Sequence, residues 1–369
     1  MGIDELLVVT CSDLADAPSR IRGKEIVEAL CANGFKASWI PYQSCLGRPE
    51  IFNFLSDFIR KCKIVQNSSP NSGVMIQRYI SVFELNTWFR LAGILRLRSL
   101  PKMTIMSFCF GTITKFVFKR KLIYDIDDAL FHDSSFEVSR LLRISDLVVV
   151  AGYGLYDHVK NYNKNVLIVP TSKRIQSIQN STKQEPTRIA LIFISGPRQL
   201  PYLQMLADTF IELSKHCDFE LRVMSTLDPQ DYKLDNRFFE KLRAQNVKVV
   251  PLIWSLETEK EELGRAEIGL APLFGGIWEK YKCGFKIINY MSEGIPPVAS
   301  AFGENVRIIR DGYNGYLCNS TKEWYEKLKR LIEDKRLRTQ MGQNALATAQ
   351  EKYSIDKNVR LLMNRLKQL

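Results

Sequence analysis

Short apolar runs alternate with helix-forming stretches along most of this chain, and one polar stretch, residues 171–187, interrupts them. Strands that alternate with helices lie parallel, because a parallel pair needs a long crossover, and their sheet must be covered on both faces. Before the interruption the apolar runs fall at 6–10, 37–40, 73–77, 121–125, 147–150 and 165–169, with a helix over 19–33 closed by Gly34. After it they resume at 189–194, 220–224, 247–251, 268–270 and around Val298, with helices over 201–215 and 257–265. The interruption is built of Ser, Gln, Asn, Lys and Pro186, which is linker composition. At 369 residues the chain exceeds one ordinary core. The prediction is an α/β protein of two doubly wound, Rossmann-like domains, 1–175 and 188–352, joined by a linker over 176–187. Residues 353–369, helical and amphipathic in their last part, are expected to pack back on the first domain. Ligands of such sheets bind beyond the carboxyl ends of the strands, at the switch point, so the cleft between the domains is the expected site.

The charge narrows the partners. A net charge of +12 favours acidic ones: nucleotides, nucleic acid or an anionic bilayer. No segment interleaves basic and aromatic residues as nucleic-acid readers do, so nucleic acid is not expected. Residues 88–121 mix apolar side chains with Arg90, Arg96, Arg98, Lys102, Lys115, Lys119, Arg120 and Lys121. That mixture suits the surface of an anionic membrane; helices with snorkelling lysines explain the same letters. No run is long and clean enough to span a bilayer; the nearest, 103–118, is broken by Gly111 and Lys115. Eight cysteines without a CxxC pair, some in apolar runs such as Cys31 and Cys109, read as buried free thiols of a reducing compartment. With three histidines and no ligand spacing, a structural zinc is not expected. The acidic pair Asp4–Glu5 precedes the first apolar run, which argues against a signal peptide. The expected location is the cytoplasm, with peripheral attachment at the inner face of the cell membrane.

Residues 267–300, EIGLAPLFGGIWEKYKCGFKIINYMSEGIPPVAS, read as a buried strand, a Gly-containing loop, a short helix and a second buried strand. Lys282 and Lys286 stand at the front of that helix, where the helix end is already positive. The arrangement makes sense if an anion binds there and uses the backbone N–H groups. Gly284 permits a close backbone approach. Asn289, one turn beyond Lys286 on the same face, is placed to reach a ribose hydroxyl. Ser195, Gly196 and Arg198 follow the apolar strand over 189–194 and are candidates for the same diphosphate. In the first domain, Asp125, Asp127 and Asp128 in YDIDDALFH, with His132 beyond, sit at a strand's carboxyl end. They read as groups that orient an acceptor hydroxyl or a donor sugar, as a Mg²⁺ site, or as a helix cap. Ser19, Arg20 and Arg22 follow the first strand and are candidates for an acceptor phosphate.

The segments PLFGGIWEKYKCGFKIINYMSEGIPPVAS, FGENVRIIRDGYNGYL and EKYSI, with APSRIRG, YDIDDA, SDLVVVAG and VPTS earlier, resemble a family-4-type glycosyltransferase of the GT-B fold. The resemblance implies retaining, metal-independent transfer of a sugar from a nucleotide-diphosphate donor to a glycan, lipid-linked or small-molecule acceptor. It implies no cofactor beyond that donor, and polysaccharide biosynthesis as the setting. By position, Lys286 and Arg198 would hold the diphosphate. Asn289 stands where relatives usually have Glu or Gln facing the ribose. The family's upstream acidic position falls near Tyr281, and Glu279 is the candidate to fill that role. Rival readings are a GT-B epimerase or phosphorylase, and a GT-B partner subunit that kept binding and lost chemistry.

Overall fold

The structure, a computed structural model, describes residues 2–10, 17–42, 50–78, 105–133, 135–175, 188–226 and 235–369. The linker over 176–187, and Trp88, Arg90, Arg96, Arg98 and Lys102 of the basic segment, lie outside the described residues. The chain divides into two compact units. The first is Met1–Ser172 with Tyr281–Cys283 and Ile355–Leu369; the second is Lys173–Lys280 with Gly284–Ser354.

The first unit carries six parallel strands: β1 (Glu5–Thr10), β2 (Lys36–Ile40), β3 (Ser72–Gln77), β4 (Lys121–Ile126), β5 (Leu147–Val150) and β6 (Val166–Ile168), in the order β2-β1-β3-β4-β5-β6. Alternate residues face alternate sides. Leu7, Val9, Val74, Ile76, Leu122 and Tyr124 enter one core, and Leu6, Val8, Met75 and Ile123 the other. The last helix, Ile355–Leu366, closes this second core through Ile355, Val359, Leu362 and Leu366. Burial on both faces is why these strands read as continuous apolar runs.

The second unit repeats the plan with β7 (Ile189–Ile194), β8 (Phe219–Ser225), β9 (Lys248–Ile253), β10 (Ile268–Ala271), β11 (Pro297–Ser300) and β12 (Tyr316–Cys318). Their order is β12-β11-β10-β7-β8-β9, all parallel, so the winding reverses between β7 and β10. The helix Phe285–Ser292 follows β10 and packs across the sheet at that reversal. Its Tyr290 is fully buried; the hydroxyl accepts from Ile194 N–H and donates to Leu270 O, both at 3.2 Å. The ring lies on Gly269, where a Cβ would sit 2.3 Å from Tyr290 Cδ2. Gly269→Ala is therefore expected to cost ~1–3 kcal/mol through overpacking, read by urea denaturation.

The structure redraws some boundaries. The helix expected over 201–215 is a 3-10 turn at Pro197–Gln199 followed by Leu200–Gln204 and Ala207–Ser214. The helix expected from residue 19 starts as a wide π-helical stretch, Ser19–Lys24, before the α-helix Glu25–Ala32. Cys31 is exposed, not buried. No described helix is long and apolar enough to cross a membrane. Lys115 of the basic segment donates to Ile144 O and Asp146, and Arg120 caps the carbonyls of Ser68 and Phe118.

Candidate functional site

In the second unit the strand β7 delivers Ser195, Gly196 and Arg198 to its carboxyl end. Ser195 is 8% exposed, and its buried Oγ has no hydrogen-bond partner among the described residues. A buried hydroxyl left unpaired costs free energy unless a ligand or water meets it. Gly196 borders open space: a Cβ there would meet nothing within 4 Å. Arg198 is exposed and, among the described residues, makes no ion pair.

The helix Phe285–Ser292 starts at Gly284, which has φ +67° and no capping side chain. The positive φ favours glycine, and a Cβ there would stand 2.3 Å from Ile308 Cδ1, so that side-chain end would have to move. Elsewhere in this unit Ser255, Ser320 and Asp334 cap their helices through side-chain oxygens. The leading N–H groups of Phe285–Ser292 have no such acceptor. Lys286 is half-buried beside them, with Nζ 4.4 Å from the centroid of the Phe193 ring on β7. That aromatic face steers the ammonium to the switch-point side of the sheet.

Asn289 is 3% exposed and engaged on both sides of its amide: Oδ1 accepts from Lys173 Nζ, and Nδ2 donates to Glu259 Oε1 at 2.7 Å. Glu279 is 7% exposed, and its Oε1 accepts from the Tyr202 hydroxyl. Lys282 belongs to Tyr281–Cys283, the short segment that packs with the first unit.

In the first unit Thr10, Gln77 and Asp125 are in register across β1, β3 and β4 at the carboxyl ends. Arg22, from the π-helical stretch, donates to Asp125 through Nε at 2.8 Å and Nη2 at 2.5 Å, and to Val169 O at 3.0 Å. Both side chains are 1% exposed. Burial works against the guanidinium, but the Asp125 carboxylate outweighs it and holds the Arg22 pKa above its ordinary value. Arg22 and Asp125 thus face each other, where the sequence expectation had both facing an acceptor. Ser19 and Arg20 are buried too, at 0% and 8%.

The other carboxylates are likewise occupied. Arg78, in a left-handed conformation with φ +60°, clasps Asp127 at 2.6 and 3.2 Å. Asp128 Oδ1 accepts from the N–H of Ala129, just ahead of the helix Leu130–Asp133, at 2.9 Å. His132 is exposed and tilts on Phe131, with ring centroids 4.7 Å apart. Phe131 stacks on His158 at 3.7 Å, and burial, with the neighbouring His132, lowers the His158 pKa. Among the described residues no cluster of three or more His, Cys, Asp or Glu is placed to hold a metal ion. Among the described residues, the Gln77 side chain, 0% exposed, has neither its amide nitrogen nor its oxygen hydrogen-bonded.

Sequence reasoning missed Glu259, Lys173, Tyr202, Gln77 and Arg78. Asn289 and Glu259 are 30 positions apart, and only the packing of two helices joins them. Arg78 had a local signal, an arginine directly after an apolar strand.

Residues 189–334 match the model of the family described as glycosyl transferases group 1. No curated protein matches the chain by sequence. Among solved structures the chain is similar to Anabaena HepE in complex with UDP-glucose, at 13% identity, covering 99% of this chain and 100% of that one, with a TM-score of 0.70. It is also similar to sucrose-phosphate synthase from Thermosynechococcus elongatus, at 12% identity, covering 99% and 98%, with a TM-score of 0.67. A glycosyltransferase from Rickettsia africae aligns at 13% identity over 99% and 98%, with a TM-score of 0.64. The fold is that of the GT-B glycosyltransferases.

Proposed function

We propose that this chain is a retaining, metal-independent glycosyltransferase that moves a hexose from a nucleotide-diphosphate donor to a glycan, lipid-linked or small-molecule acceptor. One observation carries the reading. The uncapped helix start at Gly284, with Lys286, meets the switch point where β7 presents the Ser195 hydroxyl and Arg198, neither of which has a hydrogen-bond or ion-pair partner among the described residues. Helix N–H groups, a hydroxyl and two cations are what a diphosphate requires. The match of this segment to the glycosyl transferases group 1 model, and the UDP-glucose held by the similar HepE, support the same ligand class.

In this mechanism the C–O bond between sugar and diphosphate breaks as the sugar gains positive character. Lys286, Arg198 and the helix N–H groups stabilise the charge that collects on the leaving diphosphate. No protein nucleophile is assigned. The acceptor hydroxyl attacks from the face the diphosphate leaves, and a departing phosphate oxygen takes its proton. The two cations do the work for which a divalent metal is otherwise used, so chelation with EDTA is expected to leave turnover unchanged. Asp127, Asp128 and His132 remain the first unit's proposed contacts to the sugar and acceptor, and a cytoplasmic location with a membrane-surface acceptor remains part of the proposal. Glu279, braced by Tyr202, remains the proposed acidic contact to the donor sugar.

The test is incubation with UDP-, GDP- and ADP-sugars, with melting temperature and released products followed together. A matching donor is expected to raise the melting temperature, because it binds only the folded chain, and to release nucleoside diphosphate. Conversion of the donor to its epimer without release would replace this reading by an epimerase. Absence of both binding and release would remove it.

A further inference from the structure

Lys286 and Asn289 sit one turn apart on the same helix, so a diphosphate at the helix start puts its ribose beside Asn289. Yet the Asn289 amide is already engaged by Lys173 and Glu259. The acceptor that this amide touches is Glu259. It stands on the first turn of the helix Leu256–Arg265, which begins beyond the carboxyl end of β9. Its Oε1 accepts from Asn289 Nδ2 at 2.7 Å, and its Oε2 accepts from the Trp254 indole N–H.

Neighbouring carboxylates are matched by cations. Glu262, on the same helix, lies between Arg222 and Arg265, and Glu293 pairs with Lys173. Glu259 is half-buried and, among the described residues, makes no ion pair. Two neutral N–H donors fix its orientation without cancelling its charge. An ionised carboxylate accepts about four hydrogen bonds, so two directions stay open. A pair of vicinal hydroxyls fills them, and O–H donors to a carboxylate form the strong, charge-assisted kind.

We propose that Glu259 reads the ribose of the donor, accepting hydrogen bonds from its 2′- and 3′-hydroxyls, with Asn289 and Trp254 as its positioning residues. The proposal rests on the donor-site reading above. Asn289 does not itself meet the ribose; it links Lys173 to Glu259 and sets the carboxylate's angle.

Calorimetric titration with UDP, GDP and ADP and with their 2′-deoxy forms tests this. The wild type is expected to prefer the ribonucleotide by about tenfold or more, the worth of one charge-assisted hydrogen bond. In Glu259→Gln that preference is expected to fall to about twofold, with 2′-deoxynucleotide affinity falling less than ribonucleotide affinity, because only the retained 3′-hydroxyl loses its charged acceptor there. Glu259→Asp keeps the charge at shorter reach and is expected to fall between the two; it serves as the test if the glutamine variant melts early. Full ribose preference in a folded Glu259→Gln, or a wild type that binds ribo- and deoxynucleotides equally, overturns the proposal. Failure of all six nucleotides to bind overturns the donor-site reading and this inference with it.

Discussion

Lys286→Ala is expected to lower sugar transfer by roughly 10²–10³-fold, the usual cost of removing one group that stabilises transition-state charge. The melting temperature should scarcely move. Lys286 is half-buried, and what it loses in the free protein includes a contact of its ammonium with the Phe193 ring at 4.4 Å. Such cation–π contacts are worth only ~0.5–2 kcal/mol. Lys286→Arg should recover part of the activity, because it restores the charge but brings a planar fork where a compact ammonium fits. The measurement is initial transfer rate at saturating donor, with circular dichroism as the fold control. Near-normal turnover in Lys286→Ala would remove this residue from the chemistry.

Arg22→Met is expected to produce the largest loss of stability, roughly 3–5 kcal/mol, because it strands the Asp125 carboxylate in the interior. Asp125→Leu should do comparable damage by stranding the guanidinium. Combining Arg22→Met with Asp125→Leu should be far milder than the sum of the two, since an apolar pair of similar volume replaces a desolvated ion pair at little net cost. Urea denaturation of the four proteins closes the cycle. The geometry supports the size of the effect: two hydrogen bonds at 2.5 and 2.8 Å join side chains that are each 1% exposed. Additive losses in the double variant would contradict this account. The pair also bears on function. With Asp125 on Arg22 and Asp127 on Arg78, two carboxylates that looked like open acids are held by cations of the same unit.

What the sequence shows and hides follows from the range of each interaction. Strands buried on both faces declare themselves as apolar runs, so β1 to β11 are anticipated within a few residues. β12, at Tyr316–Cys318, is three residues long and ends in a cysteine, too short for any period to emerge. The uncapped helix start at Gly284 is legible because its cues are local: a glycine followed by a lysine in the first turn, after a buried strand. The Asp128 hydrogen bond is local too, one residue from the N–H it accepts from. By contrast, Arg22 and Asp125 are 103 positions apart, and nothing in either neighbourhood names the other. Each alone looks like a charge awaiting a ligand; the fold shows them satisfying one another. Glu259 escaped notice for the same reason, since its meaning comes from Asn289 on a different helix.

The most direct measurement is calorimetric titration of UDP, GDP and ADP, each against its bare nucleoside, into the wild type and into an Arg198→Ala, Lys286→Ala double variant. A site that grips the diphosphate should favour one nucleoside diphosphate over its nucleoside by about tenfold or more, and the double variant should lose that margin while keeping its fold. Equal affinity for diphosphate and nucleoside, or an undiminished margin in the double variant, would contradict the account.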